Sequence, residues 1–352
     1  MNKKLSRRDF LWKVSTITGA VGVQQILAGC SPREIPTPET VASMVPIKTL
    51  RPTPSTVHVT QSAQPSNTDP EETQTPTVEP TKTDYDMVVA RGGEPEALVR
   101  QALAALGGME RFVKAGAYVI IKPNMCTVRT YEYAATTNPW VVGTLVKLCM
   151  EAGARKVQVM DFPFGGPPDQ TYVTSGIAEQ VKAAGGEMVI MSGFKFKPAD
   201  IPDGVILKSY KIYDDALKAD TLINVPILKN HGLAGLTIGL KNLMGLVQDR
   251  PNLHGNLGQL LPDIASRIRP ALTIVDAVRV LMANGPTGGN LADVKKMDTI
   301  IASPDIVAAD TYAANLFGFD PEKLAYIQAG ALMGLGRKDL QNLKIGEINV
   351  AA

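Results

Sequence analysis

The chain has 352 residues, of which 45% are hydrophobic and 20% are charged, and its formal net charge is +2. This composition is typical of a globular protein with one large domain or two small ones. No block of basic residues alternates with aromatic residues, so we expect no nucleic-acid partner. The three cysteines, Cys30, Cys126 and Cys149, form no C-x-x-C pair, so we expect no iron–sulfur cluster held by this chain alone.

Residues 1–30 have the features of an export signal. Ser6-Arg7-Arg8-Asp9-Phe10-Leu11 resembles a twin-arginine signal, and the short apolar run that follows ends at Leu27-Ala28-Gly29-Cys30, which resembles a bacterial lipobox. We therefore predict a signal peptide, export by the twin-arginine route and lipidation of Cys30. The protein would then be held by a lipid anchor on the outer side of the cytoplasmic membrane or in the periplasm. The alternative is an amphipathic helix that starts a cytosolic domain, but nothing after Cys30 continues such a helix.

Residues 31–84 differ in composition from the rest of the chain. This segment of 54 residues contains 10 prolines, 12 threonines and 5 serines, with no aromatic residue. Such a segment cannot bury enough apolar surface to offset its ordering entropy, so we predict a disordered linker that separates the domain from the membrane. A glycosylated stalk is the alternative. His58 lies in this segment and is given no role.

From Tyr85 onward, apolar runs alternate with helical patterns. Strands are predicted at residues 85–91, 117–122, 156–161, 187–191, 205–212, 220–228, 271–278, 298–302 and 344–350. Helices are predicted at residues 94–106, 139–153, 177–184, 257–268, 303–317 and 322–332, with Asn138 as the cap of the second. This alternation predicts that residues 85–352 form one α/β domain with a mixed, mostly parallel sheet and helices on both faces.

Polar clusters follow several of the predicted strands, where ligands of open α/β sheets gather. They are Lys122-Pro123-Asn124 with Cys126 nearby, Asp161, Lys229-Asn230-His231, and Asp276 ahead of a glycine-rich loop. Each also has an ordinary structural interpretation. Lys122 is often a solvated strand end, Cys126 an inert small residue, and either aspartate a partner of loop N–H groups. For Asp310, which lies among apolar residues, a structural hydrogen bond is at least as plausible as a functional role.

The segment from Asp220 to His254 contains two of the three histidines of the chain. His231 follows an apolar run, Lys241 lies in a glycine-spaced segment, and His254 ends the stretch. Histidines bind metals or transfer protons, and a partly buried lysine can act as a nucleophile or an anchor. Glycines three and four residues apart would let a planar ligand or another backbone approach. Buried structural roles remain the alternative for all three side chains.

These motifs resemble the family known as domain of unknown function 362. The matching residues are Ile121-Lys122-Pro123-Asn124, Thr136-Thr137-Asn138-Pro139, Asp161, Val225-Pro226-Ile227-Leu228-Lys229-Asn230-His231, Gly239-Leu240-Lys241-Asn242-Leu243-Met244-Gly245, His254, and Ala302-Ser303-Pro304-Asp305 with Asp310. The resemblance runs from about Tyr85 to the C-terminus. Some members of that family also carry ferredoxin-like cysteine clusters, which this chain lacks.

The order of His231, a glycine-rich segment, Lys241 and His254 is similar to that of the nickel-pincer lactate racemase family. This resemblance implies that Lys241 tethers a pyridinium-derived pincer cofactor, that His254 is a metal ligand and that His231 is an acid or base. Thr137, in Thr-Asn-Pro, resembles that family's substrate- and phosphate-binding loop. Racemisation needs a base on each face of the substrate, and the loop after Asp161 has no histidine, so racemisation is not expected.

Together, these features predict an exported, lipid-anchored enzyme that depends on a metal or an organic cofactor. We expect redox or hydride-transfer chemistry on a small anionic substrate, with a redox partner protein. The predicted catalytic residues are His231 and Lys241, the predicted metal ligand is His254, and the predicted cofactor-binding residues are Lys122, Asn124, Thr137, Lys229, Lys241 and Asn242. The alternative is a non-catalytic lipoprotein that binds an anionic solute or a partner protein.

Overall fold

The computed structural model describes residues 85–351. The predicted export signal, Cys30 and the predicted linker lie outside these residues. No helix in the described part of the chain is long and apolar enough to cross a membrane.

Most strands of the domain belong to one large, mixed sheet. The strands within residues 85–351 are β1 (Met87–Arg91), β2 (Tyr118–Pro123), β3 (Lys156–Val159), β4 (Glu187–Met188), β5 (Phe196–Asp200), β6 (Ser209–Tyr213), β7 (Thr221–Val225), β8 (Ile227–His231), β9 (Gly235–Thr237), β10 (Leu272–Leu281), β11 (Val294–Ser303) and β12 (Ile345–Asn349). The sheet runs β12-β1-β11-β10-β7-β2-β3-β4, and β8 pairs with both β10 and β9. Neighbours are parallel except at β1–β11, β10–β11 and β8–β9, so the predicted mixed, mostly parallel sheet is confirmed.

Helices cover both faces of this sheet. They are α1 (Pro95–Ala105), α2 (Pro139–Glu151), α3 (Pro168–Thr174), α4 (Ile177–Ala183), α5 (Asp214–Lys218), α6 (Gly239–Asn242), α7 (Leu257–Arg267), α8 (Ile306–Phe317) and α9 (Ala325–Leu332). Side chains alternate along each strand, so Val119 packs into a core with α1, α2 and α4, whereas Ile120 packs into a core with α7, α8 and α9. The predicted α/β class with helices on both faces is therefore confirmed.

Pro226 divides the predicted strand 220–228 into β7 and β8. Its carbonyl accepts a hydrogen bond of 2.8 Å from the Asp276 N–H, and β10 pairs with β7 before this point and with β8 after it. Proline has no N–H to donate to a sheet, so a break at this position is expected. The strand then continues to His231. Lys229 and His231 consequently lie on a strand, whereas the sequence placed them after one.

The prediction of a strand at 205–212 is only partly right, because β6 begins at Ser209. The backbone N–H groups of Val205, Ile206 and Leu207 donate to the Asp263 carboxylate, each at 2.8 Å. These donors are therefore not available to a sheet partner. β6 pairs instead with β5 in a separate antiparallel ribbon, and β5 was not predicted.

Several short helices were also missed by sequence periodicity. α3, α5 and α6 have seven, five and four residues, which is too short for a helical repeat to show. α6 carries Lys241 and Asn242, two of the predicted site residues. At the other end of the domain, α9 starts at Ala325 rather than at Glu322, since Asp320 caps a separate short turn at Pro321–Lys323.

Candidate functional site

A cavity of about 450 Å³ lies beside the carboxyl ends of β2, β3 and β8. Its volume is in the range of sites that bind small molecules. Its lining includes all but one of the site residues predicted within the domain: Lys122, Asn124, Lys229, His231, Lys241, Asn242 and His254. The lining residues Lys122, Lys229, Lys241 and Arg250 can carry positive charge, whereas Asp161 is the one carboxylate among the lining residues. The cavity is therefore electropositive.

The buried floor of the cavity is a connected set of hydrogen bonds, which we call the Lys–Asn network: Lys122, Asp161, Asn124, Asn242 and Lys229. The Asn242 Oδ1 accepts from Lys122 Nζ at 2.7 Å and from Asn124 Nδ2 at 3.0 Å. The Asn124 Oδ1 in turn accepts from Lys229 Nζ at 3.0 Å. Both asparagine side chains are thus oriented by lysines that come from different strands.

Lys122 and Asp161 form an ion pair at one end of this network. Their Nζ and Oδ1 atoms lie 2.9 Å apart, and the two side chains are 1% and 3% exposed. The Asp161 carboxylate also accepts the N–H groups of Met125, at 2.6 Å, and Phe162, at 2.9 Å. Burial lowers the pKa of Lys122, and the adjacent Asp161 carboxylate opposes this shift. Asp161 therefore bonds loop N–H groups, as its structural interpretation anticipated, and also pairs with Lys122.

Lys229 has no free donor for a ligand. Its ammonium donates to Asn124 Oδ1, to Cys126 Sγ at 3.2 Å and to the Ala135 carbonyl at 2.5 Å. An ammonium group has three N–H donors, so all three are used within the protein. Lys229 was predicted to be a cofactor-binding residue. Its three donors are used within the floor and no carboxylate pairs with it among residues 85–351, so it would act on a ligand through its charge.

Lys241 differs from the two floor lysines because its amine has no hydrogen-bond or salt-bridge partner within the described residues. Burial lowers the pKa of Lys241 to about 8, and the nearby cations Lys229, Lys122 and Arg250 contribute to the shift. A substantial fraction of this amine is therefore neutral near pH 8. An unpaired amine in a cationic cavity can bind an anion, accept a proton or attack a carbonyl carbon.

Asp310 fixes the short helix that carries Lys241. Its carboxylate accepts from the Gly239 N–H and, at 2.9 Å, from the Leu240 N–H, which are the first two backbone donors of α6. A Cβ on Gly239 would lie 2.7 Å from Asp310 Oδ1, so the glycine lets the carboxylate approach the helix end. Burial raises the pKa of Asp310 to about 7, although the two hydrogen bonds act to lower it. Asp310 thus has the structural hydrogen bonds that its surroundings suggested.

His231 is held as a neutral imidazole. Its Nδ1 accepts from the backbone N–H groups of Leu233 and Ala234, both at 3.2 Å. This assigns the ring proton to Nε2, for which the described residues provide no acceptor. Burial lowers the pKa of His231 to about 3, and the nearby Lys241, Lys229 and His254 add to the shift. His231 is therefore suited to donate a hydrogen bond from Nε2 to an anion, rather than to act as a base at neutral pH.

His254 and Arg250 lie on a 3₁₀ segment at the outer edge of the cavity, Arg250–Asn256. His254 is exposed, whereas the Arg250 guanidinium donates to the Phe162 and Pro163 carbonyls at 2.5 and 3.2 Å and stacks over the Phe162 ring. Burial lowers the pKa of Arg250. Arg250 was not predicted to be a site residue. Its position four residues before His254 is the feature of the sequence that could have indicated it.

Thr137 is the predicted ligand-binding residue that the structure places outside the cavity lining. Its Oγ1 accepts from the Asn124 N–H at 2.8 Å and donates to the Val225 carbonyl at 2.9 Å. The side chain is fully buried. Thr137 therefore positions Asn124, and its hydroxyl has no direct route to a ligand.

Glycines of the 232–245 segment make room for protein side chains. A Cβ on Gly245 would lie 1.9 Å from Asp161 Oδ1 and 2.5 Å from Lys122 Cε. Gly245 thus packs directly against the buried ion pair. A ligand was expected to approach these glycines. The structure instead places Asp310 against Gly239, and Asp161 and Lys122 against Gly245.

The sequence pattern of the family described as "Domain of unknown function (DUF362)" matches residues 119–315, more than half of the chain. The chain belongs to this family. The predicted membership is confirmed, and the match contains every lining residue of the cavity.

A thylakoid-associated protein of Synechocystis sp. is 29% identical to this member of the family over 248 residues. That alignment covers 68% of this chain and 75% of the relative.

Two solved structures are similar to the chain in fold. The lactate racemase apoprotein from Thermoanaerobacterium thermosaccharolyticum has 12% sequence identity and a TM-score of 0.42, with 65% of this chain and 56% of that chain covered. A Thermotoga maritima protein has 11% identity and a TM-score of 0.37, with coverages of 70% and 60%. The alignments thus span less than two thirds of each solved protein.

Proposed function

We propose that the protein is an enzyme that binds a small anionic substrate in this cavity, with Lys241 as its reactive amine. The observation that carries the proposal is the difference between the lysines. Lys122 and Lys229 are hydrogen-bonded within the floor, whereas Lys241 presents an unpaired amine to the same space. Enzymes use burial and neighbouring cations in this way to make a lysine reactive near neutral pH.

The chain's own residues can bind and orient such a substrate. A carboxylate or phosphate would be attracted by Lys241, Arg250 and the buried charge of Lys229. The His231 Nε2–H would donate a hydrogen bond to the anion or to an adjacent carbonyl oxygen. The neutral form of Lys241 would accept a proton from the substrate or add to a carbonyl carbon. The floor fixes these groups before a substrate arrives, which favours a defined orientation.

For the reaction we propose the redox or hydride-transfer class expected from sequence, which requires a cofactor that supplies or accepts the electrons. His254 would be a ligand of such a group, and in a form of the protein that carries the group covalently Lys241 would be its tether instead of a free amine. Among residues 85–351, no group of three or more His, Cys, Asp or Glu side chains could hold a metal ion. An organic cofactor would supply further donor atoms to a metal held by His254. Metal content and intact mass of the exported protein test this part of the proposal, and electrons would come from a partner protein.

Membrane attachment through Cys30 is also part of the proposal. It is supported by the two N-terminal motifs and is compatible with the thylakoid association in the name of the Synechocystis relative. Replacing both Arg7 and Arg8 with Lys should abolish export, as followed by cell fractionation. A doubly substituted protein that still leaves the cytoplasm would contradict the twin-arginine route.

The central experiment labels Lys241 with an anionic aldehyde. Glyoxylate forms an imine with a neutral lysine amine and releases water, and cyanoborohydride then reduces the imine to a stable carboxymethyl amine. Peptide mass spectrometry of the full chain should show Lys241 labelled at least tenfold faster than the exposed Lys182. Acetaldehyde, which lacks the carboxylate, should show a smaller preference for Lys241 over Lys182.

Two controls define the result. The Lys241→Arg variant should lose the fast label and keep that of Lys182, and excess inorganic phosphate should slow the labelling of Lys241 alone. Equal labelling rates for the two lysines with both aldehydes would reject Lys241 as a reactive amine in an anion site. Protection by phosphate without preferential labelling would favour the non-catalytic, solute-binding alternative.

A further inference from the structure

The outer edge of the cavity carries several apolar side chains beside Arg250 and His254. We call this edge the apolar rim and define it by Phe162, Phe164, Leu233, Pro251 and Pro286, all of which line the cavity. Phe164 is 57% exposed and Leu233 is 73% exposed. A single exposed hydrophobic side chain needs no explanation, but two from different loops at the mouth of one cavity form a surface that a ligand can cover.

The backbones of Phe164 and Leu233 are held in place by residues of the cavity. The Phe164 N–H donates to the Cys126 carbonyl at 3.0 Å, and the Leu233 N–H donates to His231 Nδ1 at 3.2 Å. Arg250 also fixes the Phe162 and Pro163 carbonyls, which precede Phe164. The exposed side chains are thus presented from hydrogen-bonded backbone.

Polarity therefore changes across the cavity. The three lysines lie at the floor and wall, where Lys229 is 1% exposed, and hydrophobic side chains lie at the mouth beside Arg250. A small inorganic anion would satisfy the charges and leave Phe164 and Leu233 in water. A purely apolar molecule would cover the rim and leave the cationic groups without a counter-charge. A molecule with both parts satisfies both ends of the cavity.

We infer that the ligand of this cavity is an amphiphilic anion, with a carboxylate or phosphate head directed towards Lys241 and an apolar chain or ring that lies against Phe164 and Leu233. This inference rests on the proposed function and specifies its substrate class. Contact of the head with the His231 Nε2–H and of the tail with the side chain of Leu233 would use two neighbouring parts of the β8–β9 turn.

Calorimetric titration of the full chain with ligands of matched head and varied tail tests the inference. Acetate, hexanoate and decanoate should bind with rising affinity, by about fourfold for each methylene that becomes buried, and decanoate is used below its critical micelle concentration. Decanol and decyltrimethylammonium, which have the same tail without an anionic head, should bind at least tenfold more weakly than decanoate. Inorganic phosphate and decyl phosphate, compared with acetate and decanoate, identify the preferred head.

Variants of the protein distinguish the contribution of the ligand's tail to affinity from that of its head. Phe164→Ser and Leu233→Ser together should reduce the gain from acetate to decanoate at least tenfold while the affinity for acetate stays the same. Lys241→Gln should weaken both ligands by a similar factor. Leu332→Ser is the matched control, because Leu332 is 90% exposed on α9 and does not line the cavity.

The outcomes distinguish this inference from the proposed function. If acetate or phosphate binds but chain length has no effect, the amphiphile is rejected and the anion site stands. If no anion binds, both are rejected. Equal affinity for decanoate and decanol would also overturn the inference, as would sedimentation with phosphatidylcholine vesicles without any binding of decanoate, which would assign the rim to membrane contact.

Discussion

The ammonium of Lys122 and the carboxylate of Asp161 form a buried ion pair, 2.9 Å long, directly beneath the backbone of Gly245. Lys122 is the penultimate residue of β2, Asp161 follows β3, and Gly245 follows the helix that carries Lys241. The pair therefore joins two strand ends to the segment that bears the proposed reactive amine. Removal of either charge would leave the other buried and uncompensated.

We expect Lys122→Met and Asp161→Asn each to lower the free energy of unfolding by about 3–5 kcal/mol, the usual cost of breaking a buried pair from one side. The double variant should lose less than the sum of the single losses, because it leaves no unpaired charge. Gly245→Ala should also be strongly destabilising, since its Cβ would overlap the carboxylate. Urea denaturation measures all four variants.

A matched control is the exposed pair of Lys156 and Glu187, whose nitrogen and oxygen lie 3.4 Å apart. Lys156→Met should cost less than about 1 kcal/mol, because solvent screens exposed charges. Similar losses for Lys122→Met and Lys156→Met would contradict a structural role for the buried pair.

A second prediction concerns the stability of the fold in acid. The pKa of His231 is lowered to about 3 by burial, so between pH 6.5 and 3 the unfolded chain binds a proton that the folded chain does not. The contribution of His231 to stability should therefore fall as the pH falls through this window, by an amount on the order of a few kcal/mol. His231→Gln should remove this component, because a glutamine oxygen can accept a backbone N–H without titrating. Urea midpoints from pH 7 to pH 4 provide the measurement, and an unchanged pH slope in the variant would be the contrary result.

A third prediction concerns Asp310, whose effect has the opposite sign. Burial raises the pKa of Asp310 to about 7, so between pH 3.8 and 7 the folded chain keeps a proton that the unfolded chain has lost. Stability from this group should fall as the pH rises. His231 and Asp310 thus offset one another over much of the acidic range, and the single variants should reveal slopes that the wild type hides. Asp310→Asn should remove the loss of stability that this group causes as the pH rises from 3.8 to 7.

The position of Asp310 gives this variant a second readout. Since the carboxylate holds the first N–H groups of α6, Asp310→Asn should also slow the glyoxylate labelling of Lys241 severalfold while Lys182 is unaffected. Loss of stability with unchanged labelling of Lys241 would assign Asp310 to the core alone, without a role in positioning the amine.

Much of the domain could be predicted from the sequence because the main elements have clear local patterns. The buried strand β2 is a run of Val and Ile residues, and the cap of α2 is an Asn followed by Pro, whose side chain does accept the Trp140 N–H. The rule that ligand sites gather at carboxyl ends of strands also brought Lys122, Asn124 and Lys229 to one place. Each of these inferences used neighbouring residues or a general property of sheets.

The division of roles among the lysines could not be predicted, because it depends on contacts between distant parts of the chain. Lys122 and Asn242 are 120 residues apart, and Lys229 and Asn124 are 105 residues apart. Nothing local to Lys241 indicates that its amine is the one without a partner. The same holds for the rim, where Phe164 and Leu233 come from separate loops and look like ordinary turn residues in the sequence.

The last prediction links anion binding to the charge of Lys241. A ligand that binds only the folded state stabilises it, by about 2.7 kcal/mol at a hundredfold excess over its dissociation constant. Inorganic phosphate at pH 7 should therefore raise the melting temperature more than sodium chloride of equal ionic strength does. Because the pKa of Lys241 is about 8, the gain should shrink as the pH rises from 7 to 9 and the ammonium loses its proton.

Lys241→Gln should abolish most of this gain at pH 7 and its dependence on pH, since the glutamine carries no charge at either end of the range. Lys218→Gln is the control, because Lys218 is exposed on α5 and pairs with Asp214 away from the cavity. A phosphate effect that is equal in both variants would show that the anion binds elsewhere. An effect confined to chains with Lys241 would place the anion beside the unpaired amine, because Lys229 uses its three donors within the floor.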